Sequence, residues 1–256
     1  MQMSYRILAA AVLVLWGLLS SPVWAGEVSV AVAANFAAPM EQIVALFQKE
    51  SGHTVKVTLG ASGKLYAQIK SGAPFDVFLS ADEDMPKRLL QDGLAVGGSR
   101  FVYATGRLVL WSAQPDLVDA KGAVLNNGNF NKLAFANYIY SPYGLAAKET
   151  LEKLRMWNSM QRKLKKADSV TDAYQLAATE TVDLAFIALG QVMRDSKVAR
   201  GSWWLVPSEL HNPIRQSAVQ LTGAKDQAAA QAFLAFLKSE KARVVMRGFG
   251  YELPRD

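Results

Sequence analysis

Two short segments of the chain, residues 33–36 and 60–64, each place a small polar residue where a strand runs into a helix. The start of a helix presents unpaired backbone N–H groups and the positive end of the helix dipole. Asn35 can add an amide donor there, and Ser62 can add a hydroxyl donor. Taken singly, either residue could be an ordinary N-cap. Two such joints in one domain predict that the chain holds an anion.

The elements around these joints alternate between strand and helix. Apolar, β-branched stretches predict three strands, at 28–32, 54–59 and 76–80. Apolar residues at helical spacing predict three helices, over 39–50, from Ser62 onward, and over 85–91. This order is typical of an α/β fold with a parallel, doubly wound sheet and helices on both faces.

A second unit begins around Leu108 and repeats the alternation of strands and helices. Because ligands of open α/β sheets lie outside the carboxyl ends of the strands, its helix starts are further candidates. The turn at 142–144 and the helix that starts at Val170 are predicted to donate through the backbone N–H groups of Tyr143 and Val170. Four joints could then bind one doubly charged anion without a counter-ion.

The first 25 residues predict a cleavable secretory signal. Arg6 precedes an apolar run over 7–19, and within residues 23–25 the two positions that a signal peptidase reads, Val23 and Ala25, have small side chains. The alternative, a membrane anchor, needs a longer apolar run. The sequence has no cysteine, so it has neither a disulfide nor a lipid-attached cysteine. We therefore expect a periplasmic protein.

The charge of the chain suits an anionic partner but does not require one. The formal net charge is +6, which fits either electrostatic steering of an anion or a surface with a mild lysine excess. The densest basic run, 162–166, is predicted to end a helix, where cations suit the dipole. Basic residues interleaved with aromatics are absent, so we expect no nucleic-acid partner.

The sequence lacks the patterns of an enzyme or a metal centre. Residues 60–64 fit neither a nucleophile elbow nor a P-loop. His53 and His211 lie in predicted surface turns without neighbours at metal-ligand spacing. The acidic residues at 82–84 are predicted to form the first turn of a helix rather than a metal site. We expect no catalysis and no cofactor.

Four stretches spread over the mature chain, at 32–36, 60–65, 72–82 and 142–149, resemble the periplasmic molybdate-binding proteins, the soluble components of ABC importers. The resemblance implies a two-lobed type II periplasmic binding protein fold, with doubly wound sheets joined by two crossovers. Its lobe 1 comprises residues 26–106 and 216–256, and its lobe 2 comprises residues 107–215.

The resemblance also implies the ligand and its contacts. A tetrahedral molybdate or tungstate oxyanion lies between the lobes, without direct bonds from the protein to molybdenum. By motif position its contacts are Asn35, the backbone of Ala34, Ser62, Tyr143 and Val170. The lobes close by a hinge near residues 106–107 and 214–215, and the protein, a monomer, delivers the anion to a membrane permease.

The chain departs from the family pattern in its hydroxyl groups. Asn35 replaces a serine or threonine, Ser62 stands alone where several hydroxyls are common, and Ala188 occupies the position of a tyrosine found in some members. We expect Asn35 or the side chain of Tyr143 to compensate. This leaves the preferred oxyanion open.

Three other functions remain as alternatives. The first is a receptor of the same fold for sulfate, thiosulfate, chromate or phosphate, although the four joints lack the arginine and aspartate that would suit phosphate. The second is a periplasmic hydrolase that uses Ser62. The third is an interaction protein that presents the ligand state to a sensor through Trp203 and Trp204, which are otherwise expected to form a packed edge or an inter-lobe contact.

Overall fold

The structure is a computed structural model that describes residues 25–254. The predicted signal peptide lies outside the described residues except for Ala25. Within residues 25–254, no helix has the length and apolar character needed to cross a membrane.

Two five-stranded sheets organise the described chain. Sheet 1 contains β1 (Glu27–Ala33), β2 (Thr54–Gly60), β3 (Val77–Ser80), β4 (Phe101–Gly106) and β12 (Ile214–Gln220), in the order β2-β1-β3-β12-β4. Sheet 2 contains β5 (Leu108–Ser112), β6 (Leu133–Ala136), β7 (Leu164–Ala167), β8 (Leu184–Ala188) and β11 (Ser202–Leu205), in the order β11-β5-β8-β6-β7. A separate hairpin joins β9 (Met193–Arg194) to β10 (Lys197–Val198).

Helices cover both sheets. Those that follow strands of sheet 1 are α1 (Ala37–Ser51), α2 (Ser62–Lys70), α3 (Asp84–Gln91), α8 (Gln227–Leu237) and α9 (Glu240–Gly248). Those of the middle of the chain are α4 (Val124–Asn127), α5 (Pro142–Lys153), α6 (Val170–Ala178) and α7 (Leu189–Val192). Two short 3₁₀ helices, Ala34–Phe36 and Ser208–Leu210, complete the set.

The predicted α/β class is confirmed, but the sheets are mixed rather than wholly parallel. In sheet 1, β1 is parallel to β2 and β3, whereas β12 is antiparallel to β3 and β4. In sheet 2, β6 is parallel to β7 and β8, whereas β5 is antiparallel to β8. β12 enters sheet 1 from sheet 2 and not through a βαβ crossover, so no handedness rule fixes its direction.

The chain passes between the sheets twice. The first passage is the single residue Arg107, between β4 and β5, and the second lies between β11 and β12. Ile214 and Arg215, which were predicted as part of a hinge, already belong to β12, where they pair with Gly106 and Thr105.

The hydrophobic core follows the two sheets. One face of sheet 1 packs on residues such as Phe36, Phe47 and Phe233, and the other face packs on Leu65 and Leu89. Sheet 2 has its own cluster of buried residues. The helices therefore pack their apolar faces on both sides of sheet 1, as the predicted doubly wound arrangement requires.

Two local predictions meet different outcomes. The basic run at 162–166 does not end a helix, because Leu164–Ala167 forms edge strand β7, with Lys165 and Lys166 exposed. Lysines on an edge strand discourage pairing with another chain. The packed-edge prediction is confirmed for Trp204, which is buried on edge strand β11, whereas Trp203 on the same strand is exposed.

Candidate functional site

Ser62 is the first residue of α2 rather than its predicted N-cap. The N-cap is Ala61, whose extended backbone (φ −64°, ψ 137°) already precedes the helix. Ser62 is buried, and its Oγ accepts a hydrogen bond from the Ala81 N–H at 3.0 Å. Because that bond uses the hydroxyl as an acceptor, its proton remains available for an acceptor in the cleft.

Asn35 lies in the 3₁₀ helix between β1 and α1, and its side chain is buried. Its Nδ2 donates to Gln216 Oε1 at 2.9 Å and to the Tyr251 hydroxyl at 3.1 Å. A carboxamide has two N–H hydrogens, so the protein engages both. The expectation of a free amide donor at Asn35 is therefore wrong, and from this joint it is the Ala34 carbonyl oxygen that meets the other side of the cleft, where it accepts from Thr171 Oγ1.

The two predicted helix starts beside sheet 2 both carry serine N-caps. Ser141 Oγ accepts from the Gly144 N–H at 3.3 Å at the start of α5. Ser169 Oγ accepts from the Asp172 N–H at 3.2 Å at the start of α6. Each cap satisfies one N–H of the first turn and fixes the direction of the others.

In the first turns of α2, α5 and α6, three buried residues have a backbone amide without a protein acceptor within residues 25–254. These residues are Ser62, Tyr143 and Val170. First-turn amides cannot bond within their own helix, so they are donors for a ligand. Two of the three are the backbone donors predicted from the sequence.

The Tyr143 side chain bonds within the protein, whereas its backbone N–H is the candidate ligand donor. Its hydroxyl accepts from Gln216 Nε2 at 3.3 Å. Burial raises the pKa of Tyr143 well above its ordinary value, and the neighbouring Tyr251 raises it further. The hydroxyl therefore stays protonated at neutral pH.

The four joints meet where the two sheets face each other, and the cleft between them is closed. The contacts that cross it include Thr171 Oγ1 to the Ala34 carbonyl oxygen at 3.2 Å, the Gly63 N–H to the Tyr140 carbonyl oxygen at 2.8 Å, and the ion pair of Lys64 Nζ with Asp168 at 3.2 Å. A Cβ on Gly63 would lie 2.9 Å from the Tyr140 Cα, so this approach requires glycine.

Two cavities flank the closed cleft. One, of about 320 Å³, is lined from both sides by residues that include Asp82 and Pro142. The other, of about 400 Å³, is lined by residues that include Ala34, Lys64 and Asp168. The predicted site residues lie at the seam between the two sheets.

Residues 28–252 match the family of bacterial extracellular solute-binding proteins. The chain belongs to this family.

Two relatives of this solute-binding protein are named molybdate-binding proteins. The one from Azotobacter vinelandii is 48% identical over 237 residues, covering 93% of this chain and 94% of its own. The one from Rhodobacter capsulatus is 48% identical over 234 residues, covering 91% of each chain. The predicted resemblance is thus confirmed.

Solved structures agree on the fold of this solute-binding protein. The periplasmic molybdate-binding protein of A. vinelandii superposes with a TM-score of 0.88 at 40% identity, covering 90% of this chain and 100% of its own. The sulfate-binding protein SubI of Mycobacterium tuberculosis superposes with a TM-score of 0.72 at 13% identity, covering 89% of this chain and 87% of its own, which shows the shared fold alone.

Sequence reasoning missed three buried side chains that surround the first joint of this solute-binding protein. Gln216 and Tyr103 lie on neighbouring strands, and Tyr251 lies near the end of the described chain. Burial raises the pKa of Tyr103 and of Tyr251 above the ordinary value. Gln216 lies in a strand that also contains Arg215, Ser217 and Gln220, so no local signal singles it out, and nothing local marks Tyr251.

The two histidines serve other contacts. His53 Nδ1 accepts from the Gly26 N–H at 2.8 Å, and its ring stacks on Phe47. His211 is buried, which differs from the predicted surface turn, and its Nδ1 lies 2.7 Å from the Asn212 carbonyl oxygen. Neither ring contacts Ser62, so the described structure offers the hydroxyl no histidine base.

The acidic residues at 82–84 also have a local role. Asp82 Oδ1 accepts from the Met85 N–H at 2.8 Å, and burial raises the pKa of Asp82. Asp84 lies in the first turn of α3, as predicted. Among the described residues, no group of three or more His, Cys, Asp or Glu could hold a metal ion.

Proposed function

We propose that this solute-binding protein is a periplasmic receptor for molybdate and tungstate that delivers the anion to the membrane permease of an ABC importer. The names of relatives at 48% identity support this ligand class. The observation that carries the proposal is the set of three acceptor-free helix-start amides, together with the Ser62 hydroxyl proton.

In the proposed complex, the anion oxygens accept hydrogen bonds from the backbone N–H groups of Ser62, Tyr143 and Val170 and from the Ser62 hydroxyl. The backbone at Ala34 and Asn35 completes the enclosure. These donors are neutral, and three of them lie at the positive ends of helix dipoles. Such dipoles stabilise a dianion without a formal counter-charge.

Selectivity follows from the nature of the donors. A fully deprotonated dianion can accept from every one of them. A protonated phosphate would bring a hydrogen for which the site offers no acceptor, and an unpaired buried donor costs about 1–3 kcal/mol. Sulfate has the same charge as molybdate, so size must separate the two.

Binding is proposed to close two lobes around the anion. One lobe comprises residues 26–106 with 214–256 and so contains all of β12, and the other comprises residues 107–213. The two passages between the sheets are the natural hinges, since few residues there need to change conformation. We further propose that residues 1–25 direct export and are removed, and that the monomeric protein binds its ligand without turnover and without a cofactor.

The test is isothermal titration of the ligand-free mature protein with molybdate, tungstate, sulfate and phosphate. We expect tight one-to-one binding of molybdate and tungstate, with no heat from phosphate. Preferential sulfate binding would assign the chain to another oxyanion, and no binding by any anion would refute the receptor function. Hydrolysis of a chromogenic ester that Ser62→Ala abolishes would show an enzyme instead.

A further inference from the structure

Gln216 is a fully buried carboxamide in the middle of β12, the strand that returns from sheet 2 to sheet 1. Gln216 is not among the predicted anion contacts. Its side chain nevertheless touches Asn35 and Tyr143, which come from opposite sides of the cleft.

An irregularity in sheet 1 brings Gln216 and Tyr103 together. The register between β12 and β4 shifts between Gln216 and Ser217, and Tyr103 has no partner in that register. Such bulges re-aim side chains and are common beside functional sites. Here the Tyr103 hydroxyl donates to Gln216 Oε1 at 3.0 Å.

The partners of Gln216 fix which way its carboxamide points. Oε1 accepts two hydrogen bonds, from Asn35 Nδ2 and from the Tyr103 hydroxyl. Nε2 therefore faces the sheet 2 side, where it donates to the Tyr143 hydroxyl. A reversed carboxamide would set Nε2 against Asn35 Nδ2, which can only donate, so the observed orientation is the one that satisfies Asn35.

We propose that Gln216 is a positioning residue for the oxyanion site, in an inference that rests on the proposed function. Its oxygen holds the side chain of Asn35, and with it the backbone of the first joint. Its nitrogen engages Tyr143, whose backbone N–H is a proposed ligand donor on the other side. One side chain thus sets the spacing of two anion-binding segments when the cleft is closed.

A buried glutamine on the same strand provides a matched control. Gln220 is also almost fully buried, and its Nε2 donates to the Gln227 carbonyl oxygen at 3.4 Å. It pairs with Val77 and has no hydrogen bond to Asn35 or Tyr143. Substitutions at Gln220 therefore measure the general effect of removing a buried carboxamide from β12.

The experiment compares four variants with the wild type: Gln216→Leu, Gln216→Glu, Gln220→Leu and Gln220→Glu. Molybdate affinity is measured by titration between pH 6 and 9, and thermal unfolding is measured without ligand. We expect Gln216→Leu to raise the Kd about 10-fold, because it leaves Asn35 without its acceptor. Gln220→Leu should lower the unfolding temperature about as much as Gln216→Leu does. Its Kd should stay within about twofold of the wild-type value.

The glutamate variant gives a pH readout that a purely structural role would not produce. A buried carboxyl has a raised pKa, and its protonated form can still accept from Asn35 and donate to Tyr143. We expect Gln216→Glu to bind nearly like the wild type at pH 6 and progressively more weakly toward pH 9. Gln220→Glu should show no such trend, because it lies away from the anion.

The outcomes separate the two proposals. A wild type that binds no oxyanion would refute the proposed function. A wild type that binds molybdate, with Gln216 variants whose Kd and pH profile match those of the Gln220 variants, would overturn the positioning role alone. If Gln216→Leu fails to fold, the pH profile of Gln216→Glu decides the question.

Discussion

The two halves of the candidate site are built differently. On the sheet 1 side, the side chains at the joints are tied into the protein: Asn35 bonds Gln216 and Tyr251, and Ser62 accepts from Ala81. On the sheet 2 side, the joints are helix starts whose serine caps, Ser141 and Ser169, leave the next amides free.

This difference indicates that the two halves contribute to anion binding in different ways. The sheet 1 half is held by hydrogen bonds made within sheet 1 and its helices, so it is preorganised before the cleft closes. In the closed cleft, the sheet 2 half adds backbone donors at the same point. We therefore expect the anion to dock on the sheet 1 half and closure to add the rest.

The largest effect is expected at the hydroxyl of the sheet 1 half. Ser62→Ala removes a buried donor to a charged ligand, which should cost about 1.5–3 kcal/mol, or roughly 10- to 100-fold in Kd. Ser112→Ala is the matched control, because Ser112 is also buried and its Oγ accepts one backbone N–H, that of Gln114, at 3.2 Å. Titration of both variants with molybdate tests this, and equal affinities would remove Ser62 from the site.

Closure itself can be tested at Gly63. The Cβ of Gly63→Ala would press on the Tyr140 backbone, so the closed cleft should lose about 1–2 kcal/mol and the Kd should rise about 5- to 30-fold. The ligand-free protein should be no less stable, since alanine favours a helix over glycine. Gly97→Ala, where a Cβ meets nothing within 4 Å, is the control. Small-angle scattering should show less compaction with ligand for Gly63→Ala, and wild-type compaction would count against closure at this contact.

The caps of the sheet 2 half should have a smaller influence on affinity. Ser169→Ala removes the cap of α6, which should cost about 1 kcal/mol of unfolding free energy and weaken molybdate binding about 2- to 5-fold. Ser239→Ala removes the cap of α9, another half-buried serine, which accepts from the Ala242 N–H at 3.4 Å. Urea unfolding should give similar losses for both variants. A weaker Kd for Ser239→Ala as well would mean that the binding effect is not specific to the site.

The smallest effect is expected from pH. Burial raises the pKa of Tyr103, Tyr143 and Tyr251, so their hydroxyls stay neutral and the Kd for molybdate should be constant between about pH 6.5 and 9. The unfolded chain ionises these three tyrosines near pH 10, and the folded chain ionises them only at higher pH. The folded state then holds more protons, so its stability should fall as the pH rises above about 10. A tenfold loss of affinity by pH 9 would contradict this account.

The sequence predicted the parts of the site that depend on local pattern. The starts of α2, α5 and α6 follow from strand-to-helix transitions that are visible within about ten residues, and the structure places them at one seam. The bonding of Asn35 could not be predicted in this way, because its partner Gln216 lies 181 positions away.

The direction of β12 and the edge position of β7 could not be predicted from the local sequence either. The sequence of β12 indicates a strand but not its direction, and only its entry from sheet 2 makes it antiparallel to β3. The lysines of β7 suit a helix end as well as an edge strand, and pairing with β6 decides between them. Tertiary contacts override such local preferences because β propensity largely reports packing.

The most direct test of the central claim is an anomalous difference map from crystals grown with molybdate, recorded at the molybdenum absorption edge. We predict one strong peak at the seam between the sheets, with its oxygens about 2.7–3.2 Å from Ser62 Oγ and from the backbone nitrogens of Ser62, Tyr143 and Val170. A peak elsewhere, or one whose oxygens contact charged side chains instead of these amides, would contradict it.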